Sequence, residues 1–234
     1  MTNILNTPSE IIILSPHPDD AIFSLGQHIH NWLSSGQKLK IINIFNSFGT
    51  DDVFSENAWN YLLKYGYKNT IELSQSRSAD NQNIYTNLNI TPSNLDFIDA
   101  SFRQFGSGPI YQTPQALNNG RPSTYDSDLP LEIINLLGLQ TDQLILCPYG
   151  VGGHVDHSLV RRVGDILKKQ KYSVKFYLES PYLWRDLNYL KYSLDILRAT
   201  SYLREVTDKM ELVKLYSYAN QIVRRGESFP EVII

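Results

Sequence analysis

The run Ile11-Ile12-Ile13-Leu14 is apolar at every position and stops abruptly at Ser15-Pro16. A strand with apolar side chains on both faces has to be covered on both, which is the place of an interior strand in a parallel sheet. From Ala21 to Ser34 the residues Ile22, Leu25, Ile29 and Leu33 recur at helical spacing, and Gly36 stands where a helix commonly stops. Lys40 to Phe45 reads as a second strand. Residues 11–45 therefore form one β-α-β unit, whose crossover is expected to be right-handed.

The alternation continues along the chain. Helices are expected near 55–65 and 71–88, then a strand near Leu95 to Asp99. Ser127 or Asp128 can cap a helix with Pro130 in its first turn, running through Leu131, Ile134 and Leu137 to Gly138. Leu144 to Cys147 is another buried strand, residues 156–170 a helix, Val174 to Leu178 a further strand, and 206–225 a long amphipathic helix. The pattern fails between Ser101 and about Asp128, where Gly106, Gly108, Pro109, Pro114, Gly120 and Pro122 punctuate a long loop. That loop also holds Phe102, Phe105, Tyr111 and Tyr125. Loops of this length inside a domain usually serve as lids or binding loops, a mobile insertion being the plainer alternative.

Composition narrows the function. With 234 residues and no linker or repeat, one domain over 1–234 is expected. A formal charge of −3 offers no basic excess for a phosphate backbone, so nucleic acid is not expected as a partner. The single cysteine, Cys147, excludes an intrachain disulfide and a cysteine-rich zinc module, so any metal site must use histidine and carboxylate. No apolar run is long enough to cross a bilayer, and the first residues lack the basic start of a secretory signal. A cytoplasmic location is the resulting expectation.

Chemistry concentrates at two strand ends. Pro16-His17-Pro18-Asp19-Asp20 follows the first strand, and Gly152-Gly153-His154-Val155-Asp156-His157 follows the Leu144 to Cys147 strand. In doubly wound sheets, ligands bind outside the carboxyl ends of the strands where strand order reverses, so the two motifs can face each other. His17, Asp20 and His157 supply two imidazoles and a carboxylate, the donor set of a catalytic zinc site with an open position. Asp19 then remains as a general base, and His154 can stabilise an oxyanion or protonate a leaving amine, with Asp156 orienting an imidazole. The plainer reading of an Asp pair or a histidine before a helix is a cap. Two such strings at matching strand ends favour the metal.

The pair of motifs resembles those of the PIG-L/LmbE-like family of metal-dependent N-acetylglucosamine (GlcNAc) deacetylases. Arg77, in Ser76-Arg77-Ser78-Ala79-Asp80, resembles the arginine at the head of a helix after the second strand. Phe97-Ile98-Asp99 resembles the next strand, and Glu179-Ser180-Pro181-Tyr182 resembles a late segment. The resemblance spans about residues 10–185. It implies a Rossmann-like, three-layer α/β/α fold, zinc as the metal, and removal of acetyl from an N-acetylated amino sugar or glycoconjugate. It also implies metal ligation by His17, Asp20 and His157, a base at Asp19, an oxyanion stabiliser or acid at His154, and a substrate-contacting or site-organising role for Arg77. Ala21 departs from the family pattern, which often has an acidic residue there.

Other features have weaker readings. His28 and His30 point to different helix faces and read as surface residues. Cys147 reads as a small buried hydrophobe, and Lys168, Lys169, Lys171, Arg224 and Arg225 as solvated charges. Tyr111, Tyr125 and Tyr182 are candidates for stacking on a sugar, with packing as the alternative. Iron, manganese or cobalt would suit the same donors as zinc. An amide hydrolase acting on a non-sugar conjugate or natural-product intermediate, and a non-catalytic sugar-binding protein, are the competing functions. The 12% aromatic content and the long loop leave room for a homo-oligomer interface.

Overall fold

A computed structural model describes residues 8–49 and 55–179. The expected helix at 206–225, Tyr182, Arg224 and Arg225 lie outside the described residues. Strand β1 (Ile11–Ser15) leads into α1 (Asp20–Ser34) and β2 (Leu39–Asn43), as the opening pattern requires. Helices α2 (Glu56–Tyr65) and α3 (Thr70–Asn87) precede the short strand β3 (Ser93–Asn94). After the 101–128 segment come α5 (Leu129–Leu137), β6 (Leu144–Pro148), α6 (Val155–Lys169) and β7 (Ser173–Tyr177). That segment itself contains a small antiparallel pair, β4 (Gln104–Phe105) with β5 (Gly108–Pro109), and a one-turn helix, α4 (Pro114–Leu117).

The main sheet has the order β3-β2-β1-β6-β7, and every pairing in it is parallel. Side chains alternate faces along a strand, and the core divides accordingly. Ile11, Ile13, Ile41, Leu146 and Tyr177 face α1 and α3, meeting Ile22, Leu25, Ile29, Ile84 and Tyr85. Ile12, Leu14, Ile42, Ile145, Cys147 and Phe176 face α5 and α6, meeting Ile133, Leu137, Leu159, Val160 and Val163. This is a three-layer α/β/α sandwich. Each fully buried Ile or Leu in it contributes about 1.5–3 kcal/mol relative to exposure. Gly164 lets α6 lie close on the sheet, since a Cβ there would stand 2.7 Å from Phe176 and 2.9 Å from Cys147 Sγ.

The third strand is shorter and earlier than the Leu95 to Asp99 pattern suggests. Asp96 adopts a left-handed φ of 58°, a conformation that short polar residues tolerate and that breaks a ladder. Its side chain bonds Asn46 instead, while Leu95 and Phe97 still pack on the core. On either side of Asp96 the backbone still bonds β2 and its continuation, Leu95 N–H to the Asn43 carbonyl at 2.9 Å, Phe97 N–H to Ile44 at 3.1 Å and Asp99 N–H to Ser47 at 2.8 Å, with a parallel bridge at Ile98. The contact with Ser47 delivers Asp99 to the carboxyl edge of the sheet.

Candidate active site at the carboxyl edge

Chain order reverses between β1 and β6, and the two histidine-bearing turns leave the sheet there. The first turn is tied by Ser15, whose hydroxyl accepts Ala21 N–H at 2.9 Å and donates to the His17 carbonyl at 2.5 Å. From α3, the buried Tyr85 hydroxyl donates to the Pro18 carbonyl at 2.6 Å. The second turn runs through Gly150, Gly152 and Gly153, all at positive φ. Gly153 is required twice over: its φ is 72°, and a Cβ would lie 2.8 Å from the Asn118 carbonyl oxygen. The loop after α4 docks here, with Gly120 N–H donating to the Gly153 carbonyl at 2.7 Å.

These turns bring His17, Asp20 and His157 together. His17 Nδ1 and His157 Nε2 each lie 3.1 Å from the same Asp20 oxygen, Oδ2. Donors around a tetrahedral zinc, with bonds of about 2.0–2.1 Å, stand about 3.3 Å apart, so the spacing fits one ion. Asp99, Asp156 and Glu179 join Asp19 and Asp20 around the histidines, against two arginines, Arg77 and Arg103. The surplus of carboxylate suits a cation.

Each imidazole is backed by a carboxylate on its other nitrogen, an arrangement that fixes orientation and strengthens a metal-ligating histidine. His157 Nδ1 lies 3.0 Å from Glu179 Oε1, and Glu179, wholly buried, also accepts Gly150 N–H at 2.8 Å and Val151 N–H at 3.2 Å. His17 Nε2 lies 3.2 Å from Asp156 Oδ2 and 3.3 Å from Asp99 Oδ2. Without a metal, burial disfavours charge on both rings. The hydrogen bonds of Asp156 and Asp20, with the charges of Asp20 and Asp99, outweigh it at His17, which is held well above the ordinary histidine value. Asp20 and then Glu179 outweigh it at His157, raised to about 9. Burial pushes Asp156 up, but Arg103 and the histidines hold it below the usual carboxylate range.

A second triple, His17, His154 and Asp156, also comes within metal-holding distance. Arg103 Nη1 stands 2.7 Å from Asp156 Oδ1, so a cation there would meet a carboxylate already neutralised. The Asp20-centred set is the better metal site on electrostatic grounds.

Asp19 occupies the cap position of α1 without making a side-chain cap bond, and its Oδ2 lies 3.2 Å from Arg77 Nη2. Arg77 sits two turns into α3 rather than at a helix head. His154 does cap α6: its Nδ1 accepts Asp156 N–H at 3.2 Å, which leaves the ring proton on Nε2. Its ring packs edge-on against His17, with centroids 5.0 Å apart. Burial lowers His154 to about 3, which favours the neutral ring. The Asp156 carboxylate faces His17, while its backbone N–H meets the His154 ring nitrogen.

Several expectations outside the cluster change. Tyr111 is buried, and its hydroxyl donates to Asp126 at 2.6 Å, so it packs and does not present a stacking face. Tyr125 is exposed and stacks on Phe105 at 3.9 Å between centroids. His28 is half-buried against Trp32. Asp128 stands at the cap position of α5 without a side-chain cap bond. Arg103, Asp126 and Tyr85 escaped the sequence reading, and Asp99 and Glu179 were assigned no role by it. The usable signal for the last two was a carboxylate just past the end of a strand on the same sheet edge as the motifs.

A parallel sheet carrying a His-His-Asp donor set at its switch point, with the arginine-paired carboxylate of Asp19 beside it, fits a metal-site hydrolase of the α/β class. Residues 12–167 match the model of the PIG-L family, GlcNAc-PI de-N-acetylase. A 2'-N-acetylparomamine deacetylase from Niallia circulans is 28% identical over 194 residues, covering 76% of this chain and 68% of the relative. Among solved structures, a deacetylase–teicoplanin complex from the teicoplanin biosynthetic pathway superposes with a TM-score of 0.63 at 19% identity. That match covers 74% of this chain and 71% of the other. The zinc-inhibited form of a teicoplanin deacetylase gives 0.59 at 16% identity, covering 74% and 68%. The chain belongs to the PIG-L family and is a deacetylase, a hydrolase of N-acetyl amide bonds. Among the described residues, no helix is long and apolar enough to cross a membrane.

Proposed function

We propose that this chain removes the N-acetyl group from an N-acetylated amino sugar, with zinc held by His17, Asp20 and His157. The observation that carries this reading is the convergence of two imidazole nitrogens on one Asp20 oxygen, each at 3.1 Å, beside a second carboxylate, Asp19, turned elsewhere. A divalent metal in such a site polarises the amide carbonyl and acidifies water. Asp19 accepts the proton of the attacking water and returns it to the departing amine as acetate leaves. Arg77, 3.2 Å away, orients Asp19. His154 acts as a neutral donor, offering Nε2–H to the oxygen of the tetrahedral adduct. Asp156 and Glu179 orient the two imidazoles from behind.

The amine carrier is proposed by likeness: the relative named for 2'-N-acetylparomamine and the neighbours from teicoplanin tailoring favour an aminoglycoside or glycopeptide sugar over a free monosaccharide. The test is acetate release from N-acetylglucosamine, GlcNAc-phosphatidylinositol and 2'-N-acetylparomamine, by chelated protein and after zinc is restored. Metal-dependent release from one of these is expected. A protein that binds no zinc would sink the ligand assignment. One that binds zinc but releases acetate from none of the three would sink the sugar assignment.

A further inference from the structure

Arg103 is 6% exposed, deep beside the site, and no step of the proposed reaction uses it. Burying a guanidinium is costly, and an apolar substitute often serves stability as well. Its position has a geometric consequence. Nη1 lies 2.7 Å from Asp156 Oδ1 and donates to the Ile98 carbonyl at 3.0 Å, while Nη2 lies 3.0 Å from Asp126 Oδ2. The guanidinium carbon lies over the rings of Phe45 and Tyr111, 4.9 and 5.5 Å from their centroids.

The two oxygens of Asp156 are thereby given different partners. With Oδ1 held by Arg103, Oδ2 accepts Ala100 N–H at 2.9 Å and faces His17 Nε2 at 3.2 Å. A carboxylate contacted at both oxygens is restrained, which keeps Oδ2 on His17 Nε2 and leaves Nδ1 turned toward Asp20. On the other side, Asp126 accepts the Tyr111 hydroxyl, and that hydroxyl accepts Ser123 N–H at 2.7 Å. Arg103 stands near the start of the 101–128 segment and Asp126 near its end. One guanidinium thus closes the base of the loop and braces the backing of a metal ligand.

We infer that Arg103 is a positioning residue for His17, acting through Asp156, and that its pairing with Asp126 makes the closure of the 101–128 loop a determinant of metal affinity. This rests on the reading of His17 as a metal ligand. A lysine keeps the charge but lacks the rigid fork needed to reach Asp156, Asp126 and Ile98 together.

The experiment is a cycle of zinc affinities, read by competition with a chelating dye, for the parent, Arg103→Lys, Asp156→Asn and the double variant. Arg103→Lys is expected to weaken zinc about tenfold in the parent and less than twofold where Asp156 is already asparagine. Asp126→Asn, which preserves shape, is the second variant and should weaken zinc in the same direction, with its effect lost in the Arg103→Lys background. Equal losses in both backgrounds, or undiminished affinity in Arg103→Lys, overturn the inference. So does a lowered thermal midpoint in chelator with no Asp156-dependent change in zinc affinity, since that is the mark of a purely structural brace. His157→Ala in the same assay keeps the two readings apart. Its failure to abolish zinc binding refutes the ligand set and the inference with it, whereas loss of zinc there alongside an additive Arg103 cycle refutes the inference alone.

Discussion

Replacing Glu179 by glutamine takes one charge from a carboxylate with no exposed surface that serves three donors at once. Oε1 faces His157 Nδ1 at 3.0 Å and accepts Gly150 N–H at 2.8 Å, and Oε2 accepts Val151 N–H at 3.2 Å. Glutamine has one oxygen, and if that oxygen keeps His157 and Gly150 its amide nitrogen must face Val151 N–H, donor against donor. Val151 is buried, so water cannot relieve the conflict, and an unsatisfied buried donor costs about 1–3 kcal/mol of stability. The imidazole also loses its anionic partner, a change that lowers metal affinity by about 10–100-fold, or about 1.4–2.8 kcal/mol of binding energy. Two assays separate these costs. Thermal unfolding in chelator reads the first, and competition for zinc in folded protein reads the second. A folded Glu179→Gln protein whose zinc affinity stays within twofold of the parent would refute the claim that Glu179 supports a ligand.

Other consequences can be checked directly. Asp19→Asn should bind zinc as the parent does yet lose about 10²–10⁴-fold in turnover, whereas Asp20→Ala should lose the metal, read by metal content after dialysis. Equal metal loss in both would contradict the separation of base from ligand. In chelator, His157 and His17 are both raised above the unfolded histidine value. The stability they contribute is therefore full below about pH 6.5 and lost as pH rises through the folded value, about 9 for His157. The thermal midpoint of metal-free protein should fall across that window, and a midpoint that rises there would reverse the sign. Gly153→Ala should cost about 1–2 kcal/mol from the left-handed backbone alone, with more from the clash at Asn118, and should lower turnover by displacing His154. Unchanged melting and turnover would show that the close approach is not needed.

The parts of this molecule written in short stretches were readable in advance. An unbroken apolar strand, its helix and its second strand lie within 35 residues, and the local pattern carries all the information needed to place them. The two motifs were legible because strand ends determine where their turns emerge. Residues whose role depends on a distant partner were not legible. Asp96 looks like part of a strand until its left-handed backbone and its bond to Asn46 are seen. Tyr111 reads as an aromatic on a loop, yet it is buried by Asp126 and Arg103, a pairing across 23 positions that no periodicity reports. The carboxylates behind the histidines, Asp99 and Glu179, come from different strand ends and meet only after the sheet is assembled.

The adjacency of β1 and β6 also has a temporal consequence. Strand β1 finds β2 about 30 residues later, but its other edge stays open until β6, more than 130 residues on. Of the three proposed metal ligands, His17 and Asp20 emerge early from a ribosome, and two donors alone hold an ion only weakly. The third donor, His157, arrives after α5 and β6 have been synthesised and docked. On the proposed ligand set, metal acquisition is therefore a late event in the chain's biogenesis, one that reports closure of the sheet's open edge, and a nascent chain halted before residue 157 lacks a complete set of donors.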